Sequence, residues 1–184
     1  MPVSFYQAIP TVLHHVLLSN PSSVLDVGVG FGKYGVLIRE NMEVPFERYY
    51  KEQWIVRVDG VEAYEQYRNP IHDYVYNHVY YGDILNVHSQ LQKYDCVLLI
   101  DVLEHFTKEE GHQVLETLLQ HTNKALIVST PLYPAHQTEY LGNPFEEHKS
   151  RWEKEDFRNY KCEYWIQYIL DNGAQFIKLY PNIE

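Results

Sequence analysis

The sequence predicts an α/β fold: a doubly wound, mostly parallel sheet of seven strands that ends in an antiparallel hairpin. Three observations lead there. Along 184 residues, seven short apolar or β-branched runs are separated by stretches of helical periodicity or turn residues, the alternation that covers a parallel sheet with helices on both faces. The run at residues 95–100, Asp-Cys-Val-Leu-Leu-Ile, is almost unbrokenly apolar, as a central parallel strand buried on both sides requires. Near the C-terminus, Asp171-Asn172-Gly173 stands between two strand-like runs and is a hairpin signal.

Ile9, Val12, Leu13, Val16 and Leu17 recur at helical spacing until Asn20-Pro21-Ser22-Ser23, so residues 1–20 read as an N-terminal amphipathic helix. Residues 24–27 form the first strand and run into glycines at 28, 30 and 32, after which Tyr34, Leu37, Ile38, Asn41 and Met42 share a helix face. The second strand, residues 55–61, ends at Glu62; a polar, Tyr-rich stretch leads to a third at 79–81, closed by Gly82-Asp83. The fourth strand ends at Asp101. Thr107-Lys108-Glu109-Glu110 is a capping box opening a helix with Val114, Leu115, Leu118 and Leu119 as its buried stripe. Residues 125–129 are the fifth strand, stopped by Thr130-Pro131. Residues 131–152, rich in Pro, His and Asn, are long for a loop inside a domain and read as a candidate lid. A short helix around 153–160 precedes the last two strands, 162–170 and 174–180. No linker, repeat or low-complexity tract interrupts residues 1–184, which read as one domain.

Composition narrows the function. Fifteen Lys and Arg against 25 Asp and Glu give a formal charge of -10, the wrong sign for a protein that gains affinity by neutralising phosphates, so nucleic acid is disfavoured as a partner. Cys96 and Cys162 lie in apolar runs without C-x-x-C spacing, and read as free thiols in a reducing cytoplasm. No apolar run approaches bilayer-spanning length and no secretory leader is recognisable, so neither membrane insertion nor secretion is expected. The 17 tyrosines fit sheet packing better than a ligand-stacking wall.

In a doubly wound sheet the ligand sits beyond the carboxyl ends of the strands, which points to Asp26, Gly28, Gly30, Gly32, Glu62, Asp83 and Asp101. The glycines permit a sharp turn and close approach of a ligand. A dinucleotide fingerprint is broken because its third glycine position holds Lys33, which disfavours a nicotinamide enzyme. An acid two residues before the first glycine instead suits a ligand with a cationic amino group and a sulfonium.

From residue 24 to the C-terminal hairpin the chain resembles the class I S-adenosylmethionine-dependent methyltransferases. The resemblance rests on Asp26-Val27-Gly28-Val29-Gly30-Phe31-Gly32, Gly60-Val61-Glu62, Gly82-Asp83-Ile84 and Asp101-Val102-Leu103-Glu104-His105. It implies the Rossmann-like methyltransferase fold, with S-adenosylmethionine as cofactor. The first motif would cradle the methionine part, Glu62 rather than Asp59 would hold the ribose, Asp83 and Ile84 would meet the adenine, and Asp101 would face the methionine. Against that family, residues 41–54 read as an insertion.

Asp101, Glu104 and His105 are spaced i, i+3, i+4 and would face one way on a helical turn; His148 lies at the end of the candidate lid. This set resembles two methyltransferase branches, the small-RNA 3'-terminal 2'-O-methyltransferases and the ubiquinone-biosynthesis O-methyltransferases. In them a similar motif and a later His bind a divalent metal, although Asp101 stands where those families have Glu. The resemblance implies Asp101, Glu104, His105 and His148 as ligands, and two imidazoles suit Mn, Fe, Co or Zn better than Mg. Without a metal, His105 or His148 is the natural general base and Glu104 shapes the pocket. His136 is a weaker candidate, with Tyr133 and Trp152 as acceptor-pocket walls.

The resulting expectation is a cytoplasmic methyltransferase acting on oxygen or nitrogen of a small polar acceptor. Its alternatives are metal-dependent RNA 2'-O-methylation and a non-catalytic S-adenosylmethionine-binding module. Oligomeric state is not legible.

Overall fold

Seven strands form one sheet in the order β3-β2-β1-β4-β5-β7-β6 in a computed structural model that describes residues 4–134, 136–169 and 172–182. They are β1 (Ser23–Val27), β2 (Arg57–Glu62), β3 (His78–Tyr81), β4 (Tyr94–Ile100), β5 (Thr122–Pro131), β6 (Cys162–Ile169) and β7 (Asn172–Leu179). β1 to β5 pair in parallel, and β7 runs antiparallel to both β5 and β6. The chain leaves β1 toward β2 and β3 on one side and returns to β4 on the other, so a crevice opens between β1 and β4 at their carboxyl ends.

Alternation along the strands divides the core in two. Leu25, Val27, Val97 and Leu99 point to one face, where Ile84 and Val87 of α4 (Ile84–Val87) and Val114, Leu115 and Leu118 of α5 (Lys108–Gln120) cover them. Val24, Cys96, Leu98 and Ile100 point to the other. There Val12 and Val16 of α1 (Ile9–Ser19), Tyr34 and Ile38 of α2 (Lys33–Met42), and Val75 of α3 (Pro70–Val75) close the layer. Burial of each such side chain stabilises the fold by roughly 1.5–3 kcal/mol. The capping box forms as the sequence reads: the Glu110 amide donates to the Thr107 hydroxyl and the Thr107 amide to the Glu110 carboxylate.

Several boundaries differ from the sequence reading. A 3-10 turn, Tyr6–Ala8, precedes α1, whose buried stripe is narrower than expected because Leu17 is exposed. The second strand starts at Arg57 rather than residue 55. The Ile55 and Val56 amides donate to the Glu43 carboxylate instead of a neighbouring strand, and Ile55 is exposed. β5 is longer than expected at both ends because β4 and β7 pair with it out to Thr122 and Pro131. The expected short helix is a 3-10 turn, Lys154–Phe157. Residues 170 and 171 of the expected hairpin turn lie outside the described residues, while the strands it joins pair from Cys162↔Leu179 to Ile169↔Asn172.

Within residues 41–54, expected as an insertion, a buried ion cluster ties the chain to β2. Glu43 accepts from Arg39 at 3.4 Å and from Arg48 at 2.5 Å, Arg39 also donates to the Val75 carbonyl, and its guanidinium lies 4.4 Å from the Trp54 ring centre. Among the described residues no helix is long and apolar enough to cross a membrane.

Candidate functional site

β1 delivers Asp26 to the crevice with its side chain on the α3 side of the sheet, where the Tyr76 hydroxyl donates to Oδ2 at 2.6 Å. Asp26 is 2% exposed. Burial pushes its carboxyl up to about 7, opposed by the Tyr76 hydrogen bond. The chain then turns through Gly28, Gly30 and Gly32, all at positive φ. At Gly28, with φ +83°, a Cβ would lie 2.4 Å from Val102 Cγ2, so the turn that leaves β1 and the turn that leaves β4 approach too closely for any side chain.

Glu62, at the end of β2, reaches into this turn. Its Oε2 accepts the Gly30 amide at 2.8 Å and Oε1 the Tyr64 amide at 2.9 Å; these bonds oppose the upward push of burial on its pKa. Asp59, the alternative ribose acid, lies deeper in the same strand, accepting the Tyr94 hydroxyl at 2.6 Å and Arg57 at 2.8 Å. It is fully buried inside the sheet. Asp83 is the N-cap of α4, accepting the Leu85 amide at 2.8 Å, and the Ile84 side chain packs in the core beside Val61 and Val87.

At the end of β4, Asp101 adopts φ +52°, uncommon for a non-glycine residue. Its Oδ1 accepts the Ser129 hydroxyl at 2.7 Å and its Oδ2 the Phe5 amide at 3.2 Å, while burial raises its pKa. Lys33 Nζ donates to Ser4 at its carbonyl and hydroxyl, at 3.0 and 2.8 Å, and the charges of Asp101 and Asp26 oppose the lowering of its pKa by burial. The N-terminal segment is therefore tied across the β1–β4 crevice.

Glu104, His105 and His148 converge, with one ligand-type atom of each within 4.8 Å of the others. Glu104 is buried, its Oε2 has no hydrogen-bond partner, and burial raises its pKa well above the usual carboxylate value. His105 Nδ1 lies 3.0 Å from the Glu147 carbonyl, which can only accept, so Nδ1 carries the proton and Nε2 keeps its lone pair. Burial lowers its pKa. The His105 and His148 ring centres are 5.0 Å apart. Asp101, expected as a fourth ligand, stands outside this trio with its oxygens engaged by Ser129 and Phe5.

The candidate lid is bonded to its surroundings. The Lys149 and Ser150 amides donate to the Glu104 carbonyl at 2.8 and 3.1 Å, and the Tyr67 hydroxyl donates to Glu146 at 3.0 Å. Trp152 is no pocket wall: it is 1% exposed, packs against Gly111 and donates to the Leu103 carbonyl at 3.2 Å, anchoring the end of the lid in the core. Tyr133 is exposed, with the Arg151 guanidinium 5.5 Å from its ring centre, and His136 borders a surface cavity with His148.

Sequence reasoning missed His72 and Tyr76. His72 Nε2 donates to the Gly30 carbonyl at 2.8 Å and its Nδ1 accepts from the Tyr81 hydroxyl at 3.0 Å, so the ring holds the glycine turn against β3. No motif marks either residue, because both reach the glycine turn from α3 and its C-terminal end, remote in the chain.

No protein-family model and no curated protein matches the sequence. Solved structures do resemble it. The magnesium protoporphyrin IX methyltransferase of Synechocystis PCC 6803, with bound SAH, superposes with a TM-score of 0.65 at 15% identity, over 96% of this chain and 83% of that one. The N-terminal domain of EvdMO1, in the presence of SAH and D-fucose, gives 0.61 at 12% identity, over 95% and 82%. An O-methyltransferase family protein from Burkholderia thailandensis gives 0.56 at 15% identity, over 96% and 57%. At these identities the likeness is one of fold, and the sheet is the Rossmann-like one of these methyltransferase structures.

Proposed function

We propose that this chain is an S-adenosylmethionine-dependent methyltransferase acting on oxygen or nitrogen of a small polar acceptor. The observation that carries the proposal is the convergence of three strand ends on the β1–β4 crevice: buried Asp26, the glycine turn with the Glu62 carboxylate on its Gly30 amide, and Asp101. These groups fit the cofactor chemically. Asp26 and Asp101 supply carboxylates for a cationic amino group and sulfonium, and Glu62 can accept ribose hydroxyls beside the amides it already holds. The fold neighbours with bound SAH, and one of them with D-fucose, agree with a sulfur cofactor and a small acceptor.

Bound there, S-adenosylmethionine supplies a methyl group on a positively charged sulfur that leaves as a neutral thioether. The protein's part is mainly positioning. His105, kept neutral near pH 7 by burial and presenting Nε2, takes the proton of the acceptor hydroxyl or amine. His148, with its ring 5.0 Å away, is the second base or orienting group.

A metal-assisted variant is favoured by one specific observation, the unpartnered buried Oε2 of Glu104 beside two imidazoles. Glu104, His105 and His148 would hold a divalent ion of the Mn, Fe, Co or Zn type, with the His105–Glu147 bond fixing the ligating tautomer. Such an ion supplies Lewis acidity that lowers the pKa of an acceptor hydroxyl.

The test is calorimetric titration of S-adenosylmethionine and S-adenosylhomocysteine into the chain and its Asp26→Ala variant, with NAD as control. Binding on the order of micromolar, lost in the variant and absent for NAD, supports the proposal. Folded, ligand-stripped protein that binds neither sulfur compound overturns it. For the metal, Mn²⁺ or Zn²⁺ affinity that survives His105→Ala unchanged would remove the ion from this cluster.

A further inference from the structure

Beside the Glu104–His105–His148 trio, a shallow surface cavity of about 280 Å³, largely open to solvent, is lined by Pro134, His136, His148, Lys149, Ser150 and Arg151. Its chemistry runs against that of the chain. In a protein with 25 acids and 15 Lys and Arg, every ionisable side chain of this wall is an imidazole, an ammonium or a guanidinium. The Ser150 hydroxyl is buried without a hydrogen-bond partner. Arg151 has a 3.6 Å contact to Glu153, but both side chains are more than half exposed, so solvent screens the pair and leaves the guanidinium available to a ligand.

The cavity is held in register with the reaction centre. The Lys149 and Ser150 amides both donate to the Glu104 carbonyl, the His148 amide donates to the Gln137 carbonyl at 3.0 Å, and His148 belongs to both cavity and trio. The backbone that carries Lys149 and Ser150 is therefore fixed relative to the His105 and His148 rings. The volume is just below the ~300–1,000 Å³ of small-molecule pockets, which suits a head group whose remaining atoms extend toward His148.

We propose that this cavity binds the anionic group of the acceptor, a carboxylate or a phosphate monoester, so that the substrate is a small anionic molecule methylated at a neighbouring hydroxyl or amine. Arg151 provides the planar fork for paired anionic oxygens, Lys149 a mobile charge, and Ser150 a hydroxyl donor. The proposal rests on the donor-binding reading above.

The experiment titrates benzoate and phenyl phosphate separately into the full chain, following the His136 and His148 imidazole signals by NMR, with S-adenosylhomocysteine binding measured in parallel. At least one anion is expected to bind saturably and shift both imidazoles. The paired substitution Lys149→Gln and Arg151→Gln should weaken it by about tenfold or more, as loss of charge-assisted hydrogen bonds predicts, while S-adenosylhomocysteine affinity is unchanged and reports an intact fold. Which anion binds separates the carboxylate from the phosphate. Binding of neither anion, or binding indifferent to the paired substitution, overturns the assignment and leaves the donor reading standing. Failure of the wild type to bind S-adenosylhomocysteine, with anion binding intact, overturns the donor reading, and with it the acceptor role of the cavity. A single-stranded oligoribonucleotide that binds more tightly than phenyl phosphate with steep salt dependence overturns the small-molecule assignment in favour of an RNA end.

Discussion

Asp26 shows what a single buried carboxyl does to pH behaviour. Its pKa rises from 3.8 to about 7 on burial, so the stability gained from its native protonation is fully present below about pH 4 and is lost as pH climbs through 7. Ligand-free Asp26→Asn should therefore gain thermal stability over wild type more at pH 8 than at pH 5, while losing S-adenosylhomocysteine binding. A stability gap equal at both pH values would contradict the buried-carboxyl account. Gly28 is constrained twice, by φ +83° and by Val102 Cγ2, which a Cβ at that position would meet at 2.4 Å. Gly28→Ala is expected to cost about 1–3 kcal/mol. Adding Val102→Ala should restore part of that, the steric share but not the conformational one, as urea unfolding of the three variants would reveal.

At the scale of elements, the segment between α2 and β2 depends on Glu43 rather than on an apolar core of its own. Glu43 is fully buried and accepts from Arg39, Arg48 and the amides of Ile55 and Val56. Removing one partner leaves buried charge unpaired, so Glu43→Ala should destabilise the protein by about 3–5 kcal/mol. An unfolding free energy from urea titration lowered by less than about 1 kcal/mol would mean the cluster is replaceable by water. The lid differs in kind. Its C-terminal end is fixed by Trp152 in the core, whereas its middle is held by polar contacts, with Asn143 and Glu146 buried and Glu146 accepting from Tyr67 and Gln137.

For the molecule as a whole, this contrast sets a gradient of local stability. β4 is paired on both sides and buried on both faces, so its amides should exchange with deuterium only through global unfolding. Amides of residues 136–150 should exchange by local opening, and S-adenosylhomocysteine should slow them by closing the lid over Glu62 and His105. Lid amides as protected as those of β4 in the ligand-free protein would remove the opening step. On the other side of the crevice, Ser4 and Phe5 bridge Lys33 and Asp101.

What periodicity and turn chemistry encode locally is legible in the amino-acid sequence. Alternating strands and helices, the glycine turn after Asp26, the capping box at Thr107 and the terminal antiparallel pair were all readable, because each is set by residues within a few positions of one another. The strand ends at Glu62 and Asp101 were readable for the same reason. Tertiary structure alone decided what those acids meet. Tyr76 reaches Asp26 from 50 residues away, Ser129 and Phe5 take up Asp101, and Trp152 enters the core instead of lining a pocket. β2 starts later than its apolar run suggests because the Glu43 carboxylate, just past α2, captures the Ile55 and Val56 amides. A hydrogen bond or a buried charge depends on distances between segments remote in the chain, and local pattern carries no record of those distances.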